Sequence, residues 1–172
     1  MEIERKFLLS SLPYELEKCD CFYLEQAYIN VLPVIRVRCK SKVSDIANKK
    51  LDNPKYILTI KSSGMLSRQE YEMELAKEEY DTLLAKAEGN IISKYRYIIP
   101  LENKLKIELD VFEGKFKGLV MGEIEFPDEE TAKKYNLPDY VSKEVTFDKR
   151  FHNSNMSRMS DSEISDLLAS VN

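Results

Sequence analysis

Residues 2–7 read Glu-Ile-Glu-Arg-Lys-Phe (EIERKF), and this stretch decides the fold expected for the chain. On a β-strand, side chains two positions apart share one face of the sheet. Glu2, Glu4 and Lys6 would therefore line one surface, and the residues between them would face the other way. A single strand of this kind is common, so the pattern is informative only if it recurs along the chain.

The same alternation recurs in most of the other predicted strands, with charged side chains on one face and apolar side chains on the opposite face. The predicted strands cover residues 2–9, 22–31, 34–41, 55–62, 68–75, 91–99, 104–112 and 118–126. The basic positions of the charged face are Arg36, Arg38, Lys61, Lys94, Arg96, Lys104 and Lys106, and its acidic positions are Glu70, Glu72, Glu74, Glu108, Asp110, Glu123 and Glu125. Basic and acidic positions are largely segregated between strands, which is unlike the mixed polar face of a solvated sheet.

Three amphipathic helices are predicted besides the strands, at residues 76–88, 128–135 and 161–171, and Asp128 is expected to cap the second. Residues 42–54 predict an exposed loop or a weak hairpin. The short connections favour antiparallel pairing, because parallel neighbours need long crossovers. We therefore expect one mainly β domain over residues 1–172, flanked by a few short helices.

The composition excludes several classes of protein. A net charge of −4 over 172 residues argues against a partner such as duplex nucleic acid. No apolar run has membrane-spanning length and no signal peptide is visible, so we expect a cytoplasmic protein without a membrane partner. Cys19, Cys21 and Cys39 lack metal-binding spacing and indicate reduced thiols. The single histidine, His152, excludes any mechanism that needs two histidines.

A sheet of eight strands tends to curl or close, because closure removes exposed edges. The residues alone leave two arrangements open. Either apolar side chains fill the interior, as in a lipocalin-like barrel, or the charged face turns inward and the three helices cover the apolar face. The second interior would be costly without a charged ligand. Carboxylates bind hard divalent cations while Arg and Lys bind phosphate, so a charged interior indicates a metal–polyphosphate site.

With these motifs the chain resembles the CYTH superfamily, the triphosphate tunnel metalloenzymes, over roughly residues 1–160. EIERK matches the family's ExExK signature. The resemblance continues through Arg36-Val37-Arg38, Thr59-Ile60-Lys61, RQEYEME at 68–74, Lys94-Tyr95-Arg96, ELDVF at 108–112, GEIEF at 122–126 and the closing segment EVTFDKRFHNSNMS. It implies an eight-stranded antiparallel closed tunnel with a charged lumen, which binds triphosphate together with Mg²⁺ or Mn²⁺.

The resemblance also implies roles for individual residues. It implies metal binding by Glu2, Glu4, Glu123 and Glu125, with Glu108 and Asp110 supporting a metal or orienting water. It implies phosphate binding by Lys6, Arg36, Arg38, Lys61, Lys94 and Arg96. Glu4, Lys6 and Asp110 are the catalytic candidates, and Lys6 is either a base or a phosphate ligand. Glu70 and Glu72 are expected near the lumen, and Arg68 at its rim.

The leading hypothesis is hydrolysis of a triphosphate, most simply inorganic tripolyphosphate, to diphosphate and phosphate. An adenylate cyclase of the same fold is second, since no base-binding signature is visible, and thiamine, nucleoside and RNA triphosphatases are further alternatives. A non-catalytic polyphosphate-binding module belongs to a different class, and the carboxylates count against it because anion capture needs only cations. The expected partner is a triphosphate-containing small molecule, and the apolar outer face would also suit a homodimer.

Overall fold

The computed structural model describes residues 3–13, 16–61 and 70–171. Within these residues, nine strands form one sheet: β1 (Ile3–Leu9), β2 (Asp20–Val31), β3 (Val34–Asp45), β4 (Lys50–Lys61), β5 (Glu70–Leu75), β6 (Ile92–Pro100), β7 (Lys106–Phe112), β8 (Val120–Phe126) and β9 (Val141–Glu144). The α-helices of the same residues are α1 (Lys77–Leu84), α2 (Glu129–Lys134), α3 (Asn153–Met156) and α4 (Asp161–Ala169). No helix in this described part is long and apolar enough to cross a membrane.

The sheet is antiparallel, as predicted, but it is open, so the expected closed eight-stranded tunnel is wrong in strand number and in closure. The strand order is β5-β4-β3-β2-β6-β7-β8-β1-β9, which leaves β5 and β9 as edges. β9 has four residues and pairs only with Phe7–Leu9 at the end of β1. Such a short strand offers too little ladder to join the far edge, and it carries no apolar alternation that sequence reasoning would detect.

The other predicted elements are present with shifted ends. Strands β3 and β4 continue through most of residues 42–54 and are joined at residues 46–49, so the hairpin alternative for this stretch is confirmed. Asp128 caps α2, since its Oδ1 accepts a hydrogen bond from the backbone nitrogen of Thr131 at 2.7 Å. The N-terminal part of the strand predicted at 68–75 lies outside the described residues.

The apolar positions of the alternating pattern pack under two helices on the outer face of the sheet. Phe7, Leu109 and Ile124 belong to a buried cluster that includes Ala132 of α2. A second cluster joins β2 and β3 to Tyr80 of α1. Each fully buried Phe, Leu or Ile contributes about 1.5–3 kcal/mol relative to its exposed state, so these clusters hold the charged rows on the inner face.

The inner face is charged along part of its length and apolar at one end. Leu8, Ile92, Phe112 and Met121 share this face with charged residues two positions away, and Tyr28 shares it with Gln26. All five nevertheless belong to the largest buried apolar cluster of the described residues. The segment that follows β9 fills this end with Val145, Phe151, Met156, Ile164 and Leu167. The expectation that all three amphipathic helices cover the outer face is therefore wrong for the C-terminal helix. The C-terminal helix packs on the inner face because the inward-facing side chains at this end of the strands are apolar.

Candidate active site

The concave face of the sheet surrounds a cavity of ≈ 580 Å³, to which β1 through β8 all contribute side chains. Its acidic lining consists of Glu4, Glu70, Glu72, Glu108, Glu123 and Glu125. The predicted basic lining consists of Lys6, Arg36, Arg38, Lys61, Lys94 and Arg96. The charged face thus turns inward, which rules out the barrel with an apolar interior.

The carboxylate wall is built by the ladder between β1 and β8. In this register Glu4 lies opposite Glu125, and Lys6 lies opposite Glu123. Lys6 Nζ is 2.9 Å from Glu4 Oε1 and 2.7 Å from Glu123 Oε1. Like charges opposite each other on neighbouring strands repel, so the Glu4–Glu125 pair favours a cation beside it.

The floor of the cavity is a buried ion-pair network centred on Asp110. Arg96 binds it with two parallel contacts, Nε to Oδ1 at 2.6 Å and Nη2 to Oδ2 at 2.7 Å. Lys94 Nζ donates to the same carboxylate, and both Lys94 and Asp110 are at most 1% exposed. Bidentate Arg–carboxylate pairing fixes geometry as well as charge, so this network holds the two cations in place.

Glu123 connects the floor to the carboxylate wall. Its Oε2 accepts from Arg96 Nη2 at 3.1 Å, and its Oε1 accepts from Lys6 Nζ. Burial alone would raise the pKa of Glu123, but Lys94, Arg96 and Lys6 outweigh burial and lower this pKa to about 2. Glu123 is therefore ionised at neutral pH.

The cationic wall, formed by β3 and β4, is more loosely paired. Arg36 Nη2 donates to Thr59 Oγ1 at 3.1 Å, and Thr59 Oγ1 donates to Glu72 Oε1 at 3.2 Å. The Nη2 atoms of Arg36 and Arg38 approach Glu72 Oε1 only to 3.8 and 3.7 Å. Lys61 Nζ is 3.0 Å from Glu70 Oε2. Because these contacts leave guanidinium donors unused, this wall is suited to an anion with several oxygens.

Some predicted residues do not line the cavity. Asp110 lies beneath it, bound to Lys94 and Arg96, so the side chain has no free oxygen facing the cavity at present. Glu74 is exposed outside the cavity lining, with its Oε1 3.9 Å from Lys55 Nζ. Glu2 and Arg68 lie outside the described residues.

Four polar lining residues were not among the predicted site residues: Gln26, Lys40, Lys106 and Asn153. Lys40 and Lys106 follow the alternation of Arg38 and Glu108, so the sequence pattern contained them. Gln26 carries no charge and its strand shows no charged alternation, hence only its pairing opposite Arg38 reveals it. Asn153 comes from α3, and only the inward packing of the C-terminal segment brings it to the cavity.

The residues present suit a hard divalent cation. Glu4 and Glu125 offer carboxylate oxygens to the cavity from opposite positions of one ladder. Among the described residues, no group of three or more His, Cys, Asp or Glu side chains is gathered closely enough to hold a metal by itself. Mg²⁺ is commonly bound by one or two carboxylates together with substrate phosphates and water, so a two-carboxylate set fits such an ion.

Comparisons with known proteins agree with this site. Residues 1–157 match the CYTH domain family. An inorganic triphosphatase of Nitrosomonas europaea is 35% identical over 154 residues, which cover 88% of this chain and 93% of that protein. An inorganic triphosphatase of Acetivibrio thermocellus is 35% identical over 157 residues, which cover 90% and 92%.

A solved structure shares the fold along nearly the whole chain. The crystal structure of an inorganic triphosphatase superposes with a TM-score of 0.69 at 30% identity and covers 93% of this chain and 96% of that one. The sequence and structural matches extend over the strands that build the charged cavity. The chain therefore belongs to the CYTH domain family.

Proposed function

We propose that this chain is a metal-dependent triphosphatase that hydrolyses inorganic tripolyphosphate to diphosphate and phosphate. One observation carries the proposal: a single cavity holds carboxylates of β1 and β8 together with arginines and lysines of β3, β4 and β6. A cavity lined only by carboxylates would repel a polyphosphate, and a cavity lined only by arginine and lysine would offer no ligands for a metal ion. Two relatives of similar length, each 35% identical, are inorganic triphosphatases, which supports the same activity here.

The phosphate chain would lie against the cationic wall. Arg36 and Arg38 offer planar donor groups to phosphoryl oxygens, and Lys61 offers a point charge beside them. Lys94 and Arg96 supply positive charge from the floor, where Asp110 positions them. Prearranged charge of this kind stabilises the negative charge that develops on phosphoryl oxygens during transfer.

Members of this family act with a divalent metal ion, and we propose Mg²⁺ or Mn²⁺. Glu4 and Glu125 would hold it, with Glu2 as a further ligand from outside the described residues. Glu123 and Glu108 are candidate ligands that are at present paired with cations. When bound, such an ion neutralises phosphate charge and lowers the pKa of a coordinated water.

Lys6 is assigned as a phosphate ligand next to the metal-binding carboxylates. Its Nζ lies between Glu4 and Glu123 and also lines the cavity. From this position it would hold a phosphoryl oxygen and balance the charge of the two carboxylates. We assign no catalytic contact to Asp110, which orients Lys94 and Arg96.

We further propose a cytoplasmic location and a homodimer. The three cysteines are free thiols, which suits a reducing compartment. Ile60 and Met73 are exposed apolar residues on the outer face of the edge pair β4–β5. An exposed apolar surface of this kind favours association with a second copy, and sedimentation velocity at several concentrations would detect it.

A substrate panel tests the function. The purified protein is incubated with tripolyphosphate, ATP, GTP and thiamine triphosphate, each with Mg²⁺, with Mn²⁺ and with EDTA, and both phosphate and cyclic nucleotide are measured. We expect tripolyphosphate to give the highest kcat/KM, with no turnover in EDTA. Cyclic AMP as the main product would establish the cyclase instead. Absence of phosphate release under all conditions, with a raised Tm in tripolyphosphate, would establish a binding module.

A further inference from the structure

The amide of Gln26, in the middle of β2, is an unexplained group on the cavity wall. The residue is 2% exposed, and its Nε2 atom is buried without a hydrogen-bond partner among the described residues. Burying an amide donor without an acceptor costs free energy, and buried polar groups are nearly always paired. The side chain therefore indicates an acceptor that the described residues do not supply.

The surroundings of Gln26 offer further donors and apolar groups. Gln26 lies opposite Arg38 in β3 and opposite Ile92 in β6. The Nε atoms of Arg36 and Arg38 are also buried without a partner among the described residues. Three unmatched donors thus lie on two adjacent strands and line one cavity. A single anion with several oxygens could accept hydrogen bonds from all three donors, whereas an acceptor with one oxygen could not.

We propose that Gln26 is a substrate-binding residue, whose amide donates a hydrogen bond to a phosphoryl oxygen of the triphosphate held by Arg36 and Arg38. This assignment rests on the proposed function. A neutral donor suits the position, because another cation would repel Arg36, Arg38 and the fully buried Lys94, while a carboxylate would repel the phosphate. Gln26 adds a contact without changing the charge of the wall.

Substitution by leucine separates binding from structure. Gln26→Leu keeps a side chain of similar size and removes the amide. We expect the affinity for tripolyphosphate, measured by calorimetry in EDTA, to fall about tenfold, and KM with Mg²⁺ to rise by a similar factor, as for a hydrogen bond to a charged group. The Tm of the free protein should be unchanged or higher, because an unmatched donor has been removed.

Asn90 offers a matched control, since it is a buried amide whose partners are within the protein. It is 7% exposed, and its Nδ2 donates to the carbonyl oxygens of Met156 at 3.1 Å and Met159 at 2.8 Å. Asn90→Leu should lower Tm and leave the affinity for tripolyphosphate within about twofold of wild type, because no donor of the cavity is lost. Gln26→Leu is thus expected to lower the affinity without lowering Tm, and Asn90→Leu to lower Tm without lowering the affinity.

Gln26→Glu provides a second test with nearly the same shape. The new carboxylate would pair with Arg38 and face the phosphate, so the affinity for tripolyphosphate should fall by more than ~100-fold from charge repulsion. Wild-type affinity in Gln26→Leu or in Gln26→Glu would overturn the assignment. If the wild-type protein itself bound no tripolyphosphate, the proposed function would fail as well, so the two failures are distinguishable.

Discussion

Arg96 and Asp110 form a two-point ion pair beneath the cavity, with Nε–Oδ1 and Nη2–Oδ2 distances of 2.6 and 2.7 Å. The pair lies directly across the β6–β7 ladder, where the two residues are Cα partners. Lys94, two residues before Arg96 on β6, donates a hydrogen bond to the same carboxylate. One acidic residue on β7 therefore orders two cations that line the cavity, and its own side chain is completely buried beneath them.

Replacing Asp110 should unfold the floor of the site. Asp110→Asn leaves the fully buried Lys94 without its ion-pair partner, and removing one partner of such a pair costs about 3–5 kcal/mol. Urea denaturation measures the change in the free energy of unfolding. Glu129→Gln, which breaks an exposed ion pair with Lys133 on α2, is the control and should stay close to wild type. A stable Asp110→Asn protein would show that the floor is not held by this carboxylate.

Substitution of Glu4 on the carboxylate wall, or of Lys6 that pairs with it, should strongly reduce turnover. Glu4→Gln and Lys6→Ala should each lower kcat by more than ~100-fold, which is the scale for losing one prearranged electrostatic partner. Phosphate release from tripolyphosphate measures the effect, and circular dichroism checks the fold. Glu144→Gln, which alters a carboxylate that pairs with Arg5 rather than lining the cavity, serves as the control. Near wild-type turnover in either test variant would remove Glu4 or Lys6 from the site.

The shape of the guanidinium of Arg38 should matter beyond its charge. Arg38→Lys keeps the positive charge and loses the planar fork that would bind two phosphoryl oxygens of the proposed substrate, so KM for tripolyphosphate should rise roughly tenfold while kcat changes less. Steady-state kinetics separate the two parameters. Lys55→Ala, at an exposed lysine outside the cavity lining, should leave both unchanged. An unchanged KM in Arg38→Lys would mean that Arg38 acts as a point charge only.

A glycine anchors the C-terminal segment that fills the apolar end of the inner face. Gly89 has φ +84°, and a Cβ at this position would lie 2.1 Å from the carbonyl oxygen of Ser157. Gly118 has φ +104°, and a Cβ added at Gly118 would have no neighbouring atom within 4 Å among the described residues. Gly118→Ala should therefore cost about 1–2 kcal/mol from backbone strain alone, and Gly89→Ala roughly 3 kcal/mol or more. Equal losses in the free energy of unfolding would mean that the contact with Ser157 relaxes.

Alternation along the strands predicted much of the cavity. Glu4, Arg38, Lys61 and Glu125 lie where period-two spacing and the family resemblance placed them. Alternation is a local property of extended backbone, so it identifies a face without knowledge of the partner strands. It did not separate Asp110 from Glu108, because both have the same parity and both pair with Arg96. Only the contact with Lys94 and the complete burial of Asp110 distinguish them.

The sequence by itself determined which face is charged in the alternating strands, indicated the antiparallel pairing, and predicted a site for a metal and a polyphosphate. Those properties depend on side chains a few positions apart. The tertiary structure alone decided that the sheet stays open between β5 and β9, that α3 and α4 pack on the inner face, and that Gln26 joins the site. Each of these depends on contacts between residues far apart in the chain, which period-two patterns do not encode.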